Sequence, residues 1–183
     1  MKKIAVIAWG SLVWDKRSLR IADKFECTGP RLPIEFCRIS GDGRLTLVID
    51  ETNGAECPTY QACSSFDDLE AAIKNLSERE GTNLTNVGFI DVVARKTSAV
   101  SVKRHPKSAE TIRAWAISSG YDAVIWTALG RKFKDVLGVA FSVNAALNYL
   151  EALDSTRLSK ALEYVRCAPR EAQTPWPTLT ELP

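Results

Sequence analysis

The stretch Lys-Ile-Ala-Val-Ile-Ala at residues 3–8, followed directly by Trp-Gly-Ser-Leu at residues 9–12, decides the fold. Its apolar residues are continuous rather than alternating, which is typical of a β-strand that is covered on both faces. Gly10 and Ser11 then allow the backbone to turn. The sequence therefore predicts a buried first strand that ends in a tight turn.

The turn at Gly10 and Ser11 is a candidate binding site. Backbone N–H groups that follow the end of a strand lack partners in the sheet, and successive free amides in a turn form a concave site for an anion. The alternative is a turn that only ends the strand, because Gly-Ser turns are common and the serine can hydrogen-bond to the backbone. The residues of the turn alone leave both interpretations open.

Outward from this segment, predicted strands and helices alternate along the chain. Strands are predicted at residues 34–39, 44–49, 58–63, 87–94, 99–102 and 123–127, and helices at residues 66–81, 108–118 and 141–165. A long irregular loop is predicted at residues 14–33, and a tail without regular structure is predicted from Pro169 onward. This mostly antiparallel plan indicates an α+β fold in which helices flank a mixed sheet or small β-barrel.

Length and charge indicate a single domain that binds neither nucleic acid nor membranes. With 183 residues, the chain is long enough to enclose one hydrophobic core, so residues 1–183 are expected to form one domain. A formal net charge of +2 gives no electrostatic reason to bind nucleic acid or an acidic membrane surface. No apolar stretch approaches the roughly 20 residues that span a bilayer. We expect no signal peptide, because the first apolar run lacks a small-residue cleavage site.

The cysteine pattern indicates a cytoplasmic protein with reduced thiols. The five cysteines are odd in number, widely spaced and without a Cys-x-x-Cys pair, which does not fit a disulfide framework. Free cysteines are commonly buried as small core residues. The single histidine and the lack of zinc-ligand spacing argue against a structural metal site.

A second candidate site lies at the end of the first predicted helix, where residues 78–81 read Glu-Arg-Glu-Gly. Two acids in the last turn of a helix oppose the helix dipole, which favours cations there. A locally unfavourable choice of this kind is a hint of function. A solvated surface turn is the alternative, since spacing in sequence does not show whether a carboxylate reaches a reacting group.

In their order along the chain, these features resemble the γ-glutamyl cyclotransferase-like family. Members carry a Tyr-Gly-Ser-Asn/Leu loop after the first strand and a catalytic glutamate in a Leu-Asp-x-x-Glu-Gly segment that ends a helix. Here the corresponding stretches are residues 9–12 and 76–81, which align Glu80 with the family's glutamate. The resemblance assigns residues 1–128 to the family's core. It leaves residues 129–183 as a helical C-terminal extension with a Pro-rich tail, similar to a bacterial branch that carries Gly-Ser-Leu-x-Trp-Asp near its start.

The resemblance implies an enzyme that releases 5-oxoproline and a free amine from a γ-glutamyl amine. In that reaction the α-amine attacks the γ-carbonyl of the same molecule, so holding the substrate in position is most of the task. The family pattern implies that the substrate carboxylate is bound by Trp9, Gly10, Ser11 and Leu12. It also implies that Glu80 takes a proton from the ammonium group and returns it to the leaving amine. The reaction needs neither metal nor cofactor.

Two positions depart from the family's pattern. Trp9 stands where the family has tyrosine, which removes a phenolic hydroxyl from the ligand pocket, and Ser77 stands where the family has aspartate. Because one fold hosts many functions, the alternative to an enzyme is a non-catalytic domain that binds a small carboxylate ligand. Catalysis requires the Glu80 carboxylate to face Gly10 and Ser11 across a pocket, whereas a binding domain allows it to point into solvent.

Other side chains form weaker candidate sites. Cys37 and His105 have the residue types of a nucleophile and its base, with Asp91 or Asp122 available to orient the histidine. However, the sequence Lys-Arg-His-Pro around His105 predicts an exposed loop. A pair of Ser11 and His105 lacks the Gly-x-Ser-x-Gly elbow of serine hydrolases.

Basic residues allow two further interpretations. Arg17 follows the turn and is a strong bidentate donor that can hold an anionic ligand; a salt bridge with Asp15 is the alternative. Arg-Lys-Phe-Lys at residues 131–134 predicts a solvated helix face. Arg38 lies on a predicted strand whose pattern assigns no face to its side chain.

Overall fold

The computed structural model describes residues 1–169, and the Pro-rich tail predicted beyond Pro169 lies outside them. The strands are β1 (Ile4–Ala8), β2 (Leu32–Ile39), β3 (Leu45–Ile49), β4 (Ala55–Cys57), β5 (Tyr60–Cys63), β6 (Val87–Asp91), β7 (Lys96–Thr97) and β8 (Ala123–Thr127). The helices are α1 (Leu69–Glu80), α2 (Ala99–Arg104), α3 (Pro106–Ser118), α4 (Phe133–Leu137), α5 (Val143–Glu151) and α6 (Ser155–Cys167), with a short 3₁₀ turn at Leu84–Asn86. Within residues 1–169, no helix has the length and apolar character needed to cross a membrane.

The strands of residues 1–169 form two sheets. Five strands form a mixed sheet in the order β5-β1-β8-β6-β7, and three form an antiparallel sheet in the order β3-β2-β4. β1 and β8 run parallel, with Ile4 opposite Ala123, whereas the other strand pairs are antiparallel. The predicted α+β class with a mixed, mostly antiparallel sheet is confirmed. Neither sheet closes into a barrel in this part of the chain, because the edge strands β5 and β7 do not pair with each other.

Strand β1 lies between two hydrophobic cores, as its continuous apolar sequence predicts. Val6 and Ala8 pack in a core that includes Leu76 of α1. Ile7 and Trp9 point to the opposite face and pack in the larger core, which contains the three-stranded sheet. All five residues of β1 are buried, so the turn that follows it is held at a fixed place.

Helix α1 is held by a cap at each end. The Asp68 carboxylate accepts a hydrogen bond from the Ala71 N–H at 2.8 Å, which satisfies one of the free amides of the first turn. Gly81 has φ of 60°, in the left-handed region that favours glycine, and ends the helix. Ala72 and Leu76 bury one face of α1 against the five-stranded sheet. The predicted stop at Gly81 is confirmed.

The C-terminal helices share the larger core with both sheets. Ala146 and Leu150 of α5 and Ala161 of α6 are fully buried there. Phe133 at the start of α4 is also fully buried. The prediction of a solvated helix face at residues 131–134 is therefore wrong at Phe133, whose ring packs 5.3 Å from the ring of Phe141.

One predicted strand forms a helix, and one polar residue of a strand is buried. Residues predicted as a strand at 99–102 form helix α2 instead, and the hydroxyls of Ser98 and Ser101 hydrogen-bond at 2.6 Å across its first turn. In β2, the polar residue Glu35 is buried rather than solvent-facing. Its carboxylate accepts a hydrogen bond from the Phe36 N–H at 2.6 Å. A buried polar group that finds a partner can occupy a core position against the hydrophobic pattern.

His105 is buried, so the prediction of an exposed loop is wrong. It joins α2 to α3 and is 3% exposed. Burial lowers the pKa of His105 from 6.5 to about 4, and the nearby Glu51 carboxylate offsets only part of that effect. The sequence Lys-Arg-His-Pro is polar, but Pro106 begins the next helix directly and turns the histidine inward.

We predict that His105 makes the protein less stable as pH falls from 6.5 towards 4. The unfolded chain binds a proton on this histidine below pH 6.5, whereas the folded chain does so only near pH 4, so protonation favours unfolding in that window. The free energy of unfolding should drop by about 2 kcal/mol between pH 7 and pH 4.5 through this group. Urea denaturation at both pH values measures the drop, and the variant His105→Gln should lose that part of it.

The same prediction can be checked without a variant. Because the chain contains one histidine, its imidazole resonance in an NMR pH titration needs no assignment. A midpoint near 6.5 in the folded protein would contradict the buried, neutral histidine.

Candidate active site

A cavity of about 320 Å³ lies where the end of β1 meets the end of α1. The β2–β3 hairpin, the residues after β8 and helix α6 close its other sides. The predicted site residues that line this cavity are Trp9, Gly10, Ser11, Leu12 and Glu80. The structure therefore brings the turn and the predicted glutamate together. They are distant in sequence, since Ser11 and Arg79, the residue before Glu80, are 68 positions apart.

The turn after β1 is a single helical turn. The Gly10 carbonyl accepts a hydrogen bond from the Val13 N–H at 3.0 Å, and the Ser11 carbonyl accepts one from the Asp15 N–H at 2.8 Å. The N–H groups of Ser11 and Leu12 therefore precede the first amide bonded within the turn, as the N–H groups do at the start of a helix. The Ser11 N–H donates to the Tyr164 hydroxyl oxygen, which leaves the Leu12 N–H for a ligand. The binding of an anion at this turn stays a prediction.

Gly10 is required by a side chain from the C-terminal part of the chain. A Cβ at position 10 would lie 2.7 Å from the hydroxyl oxygen of Tyr164, which belongs to α6. This separation is too short for a carbon atom, so only glycine fits unless the tyrosine moves. The turn and α6 thus pack against each other at the cavity wall.

Arg79 connects Glu80 to the turn. The Arg79 side chain is 1% exposed, and its Nη1 atom lies 2.6 Å from Oε1 of Glu80, whose side chain is 16% exposed. The same guanidinium donates a hydrogen bond to the Asp15 carbonyl and lies 3.5 Å from the Ser11 hydroxyl. One buried cation therefore holds the carboxylate and the turn in a fixed arrangement.

Within residues 1–169, four arginines line the cavity, and three of them have a carboxylate partner. They are Arg17, Arg38, Arg44 and Arg79. Arg44 lies 2.8 Å from Asp42, and Arg17 lies 3.1 Å from Asp15. The salt bridge between Arg17 and Asp15 that the sequence leaves open is thus present, and Arg17 also reaches the cavity wall.

Arg38 is the cavity arginine that has no carboxylate partner among residues 1–169. Its Nη1 atom donates to the Gly130 carbonyl at 2.8 Å. Burial lowers the pKa of Arg38, and the nearby Arg104 lowers it further; a guanidinium nevertheless stays charged in proteins. A half-buried cation without a counter-ion favours a ligand that carries a negative charge.

The sequence does not predict three residues that line the cavity, namely Arg38, Arg44 and Tyr164. The register of β2 against β3 shifts between Glu35 and Arg38, so alternation along the strand cannot assign the face of Arg38. Arg44 directly follows the hairpin turn, where charged residues are common. Helical spacing from Ala161 could have placed Tyr164 on the buried face of α6, but not at this cavity.

The alternative pair of Cys37 and His105 does not form a catalytic site. Cys37 hydrogen-bonds to Asp50, and burial, together with that carboxylate, raises the pKa of the thiol well above its ordinary value. A thiol in this state is a poor nucleophile. Asp91 pairs with a lysine near the N-terminus, and Asp122 accepts a hydrogen bond from a backbone amide. Neither carboxylate orients the histidine.

The cavity suits a small, negatively charged ligand. Its volume lies at the lower end of the range for small-molecule sites, roughly 300–1,000 Å³. In the described part of the chain, no three His, Cys, Asp or Glu side chains are grouped so as to hold a metal ion. The polar groups that face the cavity are guanidinium groups, hydroxyl groups, backbone amides and the Glu80 carboxylate.

We predict that Arg79→Met destabilises the protein by about 3 kcal/mol, because it leaves the partly buried Glu80 carboxylate without its partner and frees the turn. Arg17→Met is the matched control. It removes a cavity arginine whose ion pair is exposed, and its cost should stay below about 1 kcal/mol. Urea denaturation of both variants measures the difference, and equal losses would contradict the role given to Arg79.

Comparison with protein-family models, with curated proteins and with solved structures found no match for this chain. The resemblance carried by residues 9–12 and 76–81 therefore stays a prediction. The function has to be inferred from the cavity itself, which joins an amide-lined turn, a held carboxylate and one cation without a carboxylate partner among the described residues.

Proposed function

We propose that this protein is a γ-glutamyl cyclotransferase-like enzyme, which releases 5-oxoproline and a free amine from a γ-glutamyl amine. The observation that supports the proposal is the shared cavity of Glu80 and the turn at Gly10 and Ser11. A carboxylate that acts as a general base must lie within reach of the substrate that the binding groups hold. The shared lining of one cavity by Glu80 and the turn supports this requirement, and the sequence resemblance suggests the reaction.

The turn and Arg38 bind the substrate carboxylate in this proposal. The Leu12 amide precedes the first bonded amide of the turn and can donate to an anion. Arg38 supplies the positive charge that has no carboxylate partner within residues 1–169. The Trp9 indole is buried in the wall and its nitrogen lies 3.4 Å from the Leu47 carbonyl, so Trp9 shapes the site rather than donating to the ligand.

Glu80 moves the protons of the reaction. It takes a proton from the α-ammonium group, and the freed nitrogen forms a bond to the γ-carbonyl carbon of the same molecule. The bond between that carbon and the leaving nitrogen then breaks. Both protons lost by the attacking nitrogen end on the leaving amine, one of them carried by Glu80. The amine departs as an ammonium ion, and the ring that remains is 5-oxoproline.

Arg79 fixes the direction of the Glu80 carboxylate in this proposal. Because Oε1 of Glu80 is bonded to Arg79 at 2.6 Å, the other carboxylate oxygen is the one available for the proton. The buried guanidinium cannot swing into the cavity, since it also donates to the Asp15 carbonyl. Such support from a neighbouring side chain keeps a catalytic group in one orientation.

The second candidate is a non-catalytic domain that binds a small carboxylate ligand. The observation in its favour is that the Glu80 carboxylate already has a short ion pair with Arg79, as a purely structural acid would. Arg38 serves ligand binding in either case. The two candidates differ in what Glu80 does, so a change at Glu80 separates them.

We expect that the protein releases 5-oxoproline from at least one member of a panel of γ-glutamyl amines, and that Glu80→Gln lowers this turnover by about 100-fold or more. The amide keeps the size of the side chain but cannot accept the proton. Binding of 5-oxoproline should change by only a few fold. Product release is measured by chromatography, and binding by calorimetry.

The matched control is Glu78→Gln, which removes an exposed acid two positions away, 4.0 Å from Lys74. Its turnover should equal that of the natural protein. Retained turnover in Glu80→Gln would remove Glu80 from its role. If the panel yields no 5-oxoproline although 5-oxoproline binds, the non-catalytic domain is the correct function.

A further inference from the structure

Tyr164 of helix α6 presents a polar atom to the cavity from the C-terminal part of the chain. The residue is 7% exposed, and it lines the same cavity as Gly10 and Glu80. Its hydroxyl oxygen would lie 2.7 Å from a Cβ at position 10, which places it directly beside the turn. A buried hydroxyl at a cavity wall is costly unless it has a hydrogen-bond partner there.

The ring of Tyr164 is fixed by three neighbours. Trp14 packs edge-on at 5.4 Å between ring centroids, and Phe36 packs edge-on at 6.4 Å. The Arg44 guanidinium lies over the ring at 5.5 Å from its centroid. These contacts determine the direction of the ring and therefore the place of its hydroxyl.

The hydroxyl of Tyr164 has a proton available. The backbone N–H groups of Leu47 and Ser11 donate hydrogen bonds to the hydroxyl oxygen, which lowers the pKa of Tyr164. Burial outweighs this effect and raises the pKa of Tyr164 to about 12, so the phenol keeps its proton throughout the neutral range. Within residues 1–169, no side chain or carbonyl oxygen accepts that proton. Tyr149 of α5 differs in this respect, because its hydroxyl donates to the Gly43 carbonyl at 2.7 Å.

We propose that the Tyr164 hydroxyl donates a hydrogen bond to the carboxylate of the bound substrate, beside the amides of the turn. The inference rests on the proposed function, because it takes the ligand to be a small carboxylate. It makes helix α6 part of the binding site rather than only a part of the core. Residues 129–169 then contribute both packing and one substrate contact.

In this arrangement the Ser11 amide donates to the Tyr164 oxygen and acts on the substrate through that hydroxyl. Since it approaches the phenol oxygen, it polarises the O–H group that faces the substrate. The substrate carboxylate is then held by the Tyr164 proton and the Leu12 amide, with Arg38 as the counter-charge. A hydrogen bond to a charged group is stronger than one between neutral groups.

The test compares Tyr164→Phe with Tyr149→Phe, and the probe is 5-oxoproline. Each variant removes one phenolic oxygen from the C-terminal helices, and only Tyr164 lines the cavity. We expect Tyr164→Phe to weaken binding between about 10-fold and 100-fold, and Tyr149→Phe to change it less than about twofold. If the enzyme turns over, KM should rise in Tyr164→Phe while kcat changes little, since the contact is made before and during reaction.

A second measurement works even where Tyr164→Phe folds poorly. In natural protein labelled with ¹³C at the tyrosine Cζ atoms, 5-oxoproline should shift one of the four resonances. Tyr149→Phe should remove a resonance that does not shift. Binding that shifts none of the four, or equal affinity in natural protein and Tyr164→Phe, would overturn the role of Tyr164 and leave the proposed function intact. Failure of 5-oxoproline to bind the natural protein would overturn both.

Discussion

The ion pair between Arg79 and Glu80 is the interaction on which the site depends. A guanidinium that is 1% exposed lies 2.6 Å from the carboxylate and also donates to the backbone of the turn after β1. Two segments far apart in the chain are thereby held across a cavity rather than left to move independently. The end of α1 and the end of β1 are each fixed by the core that they share, so the pair joins two rigid elements.

Among the described residues, the charges around the cavity leave one arginine without a carboxylate partner. Arg17, Arg44 and Arg79 each have a carboxylate within 3.1 Å. Arg38 donates to the Gly130 carbonyl instead. A protein that only needed these arginines for packing would gain little from a half-buried charge without a counter-ion. The arrangement therefore favours binding of an anion in the cavity.

Local sequence patterns predict the parts of the site that local structure creates. The turn at Gly10 follows from a buried strand, and Glu80 follows from a helix that ends at Gly81. Arg38 could not be predicted, because a shift of register within β2 decides its face. Tyr164 and His105 could not be predicted for another reason: each is placed by the packing of helices that are distant in sequence or joined without a loop. Single-sequence periodicity carries no information about such packing.

A crystal structure with the monoamide of glutaric acid would show whether the turn and Glu80 bind one substrate between them. This compound has the carboxylate and the γ-amide of the substrate but lacks the α-amine, so it cannot cyclise. We predict that its carboxylate lies at the turn, within about 3 Å of the Leu12 amide nitrogen, and that its amide points towards Glu80. A ligand bound elsewhere, or an amide directed away from Glu80, would contradict the account.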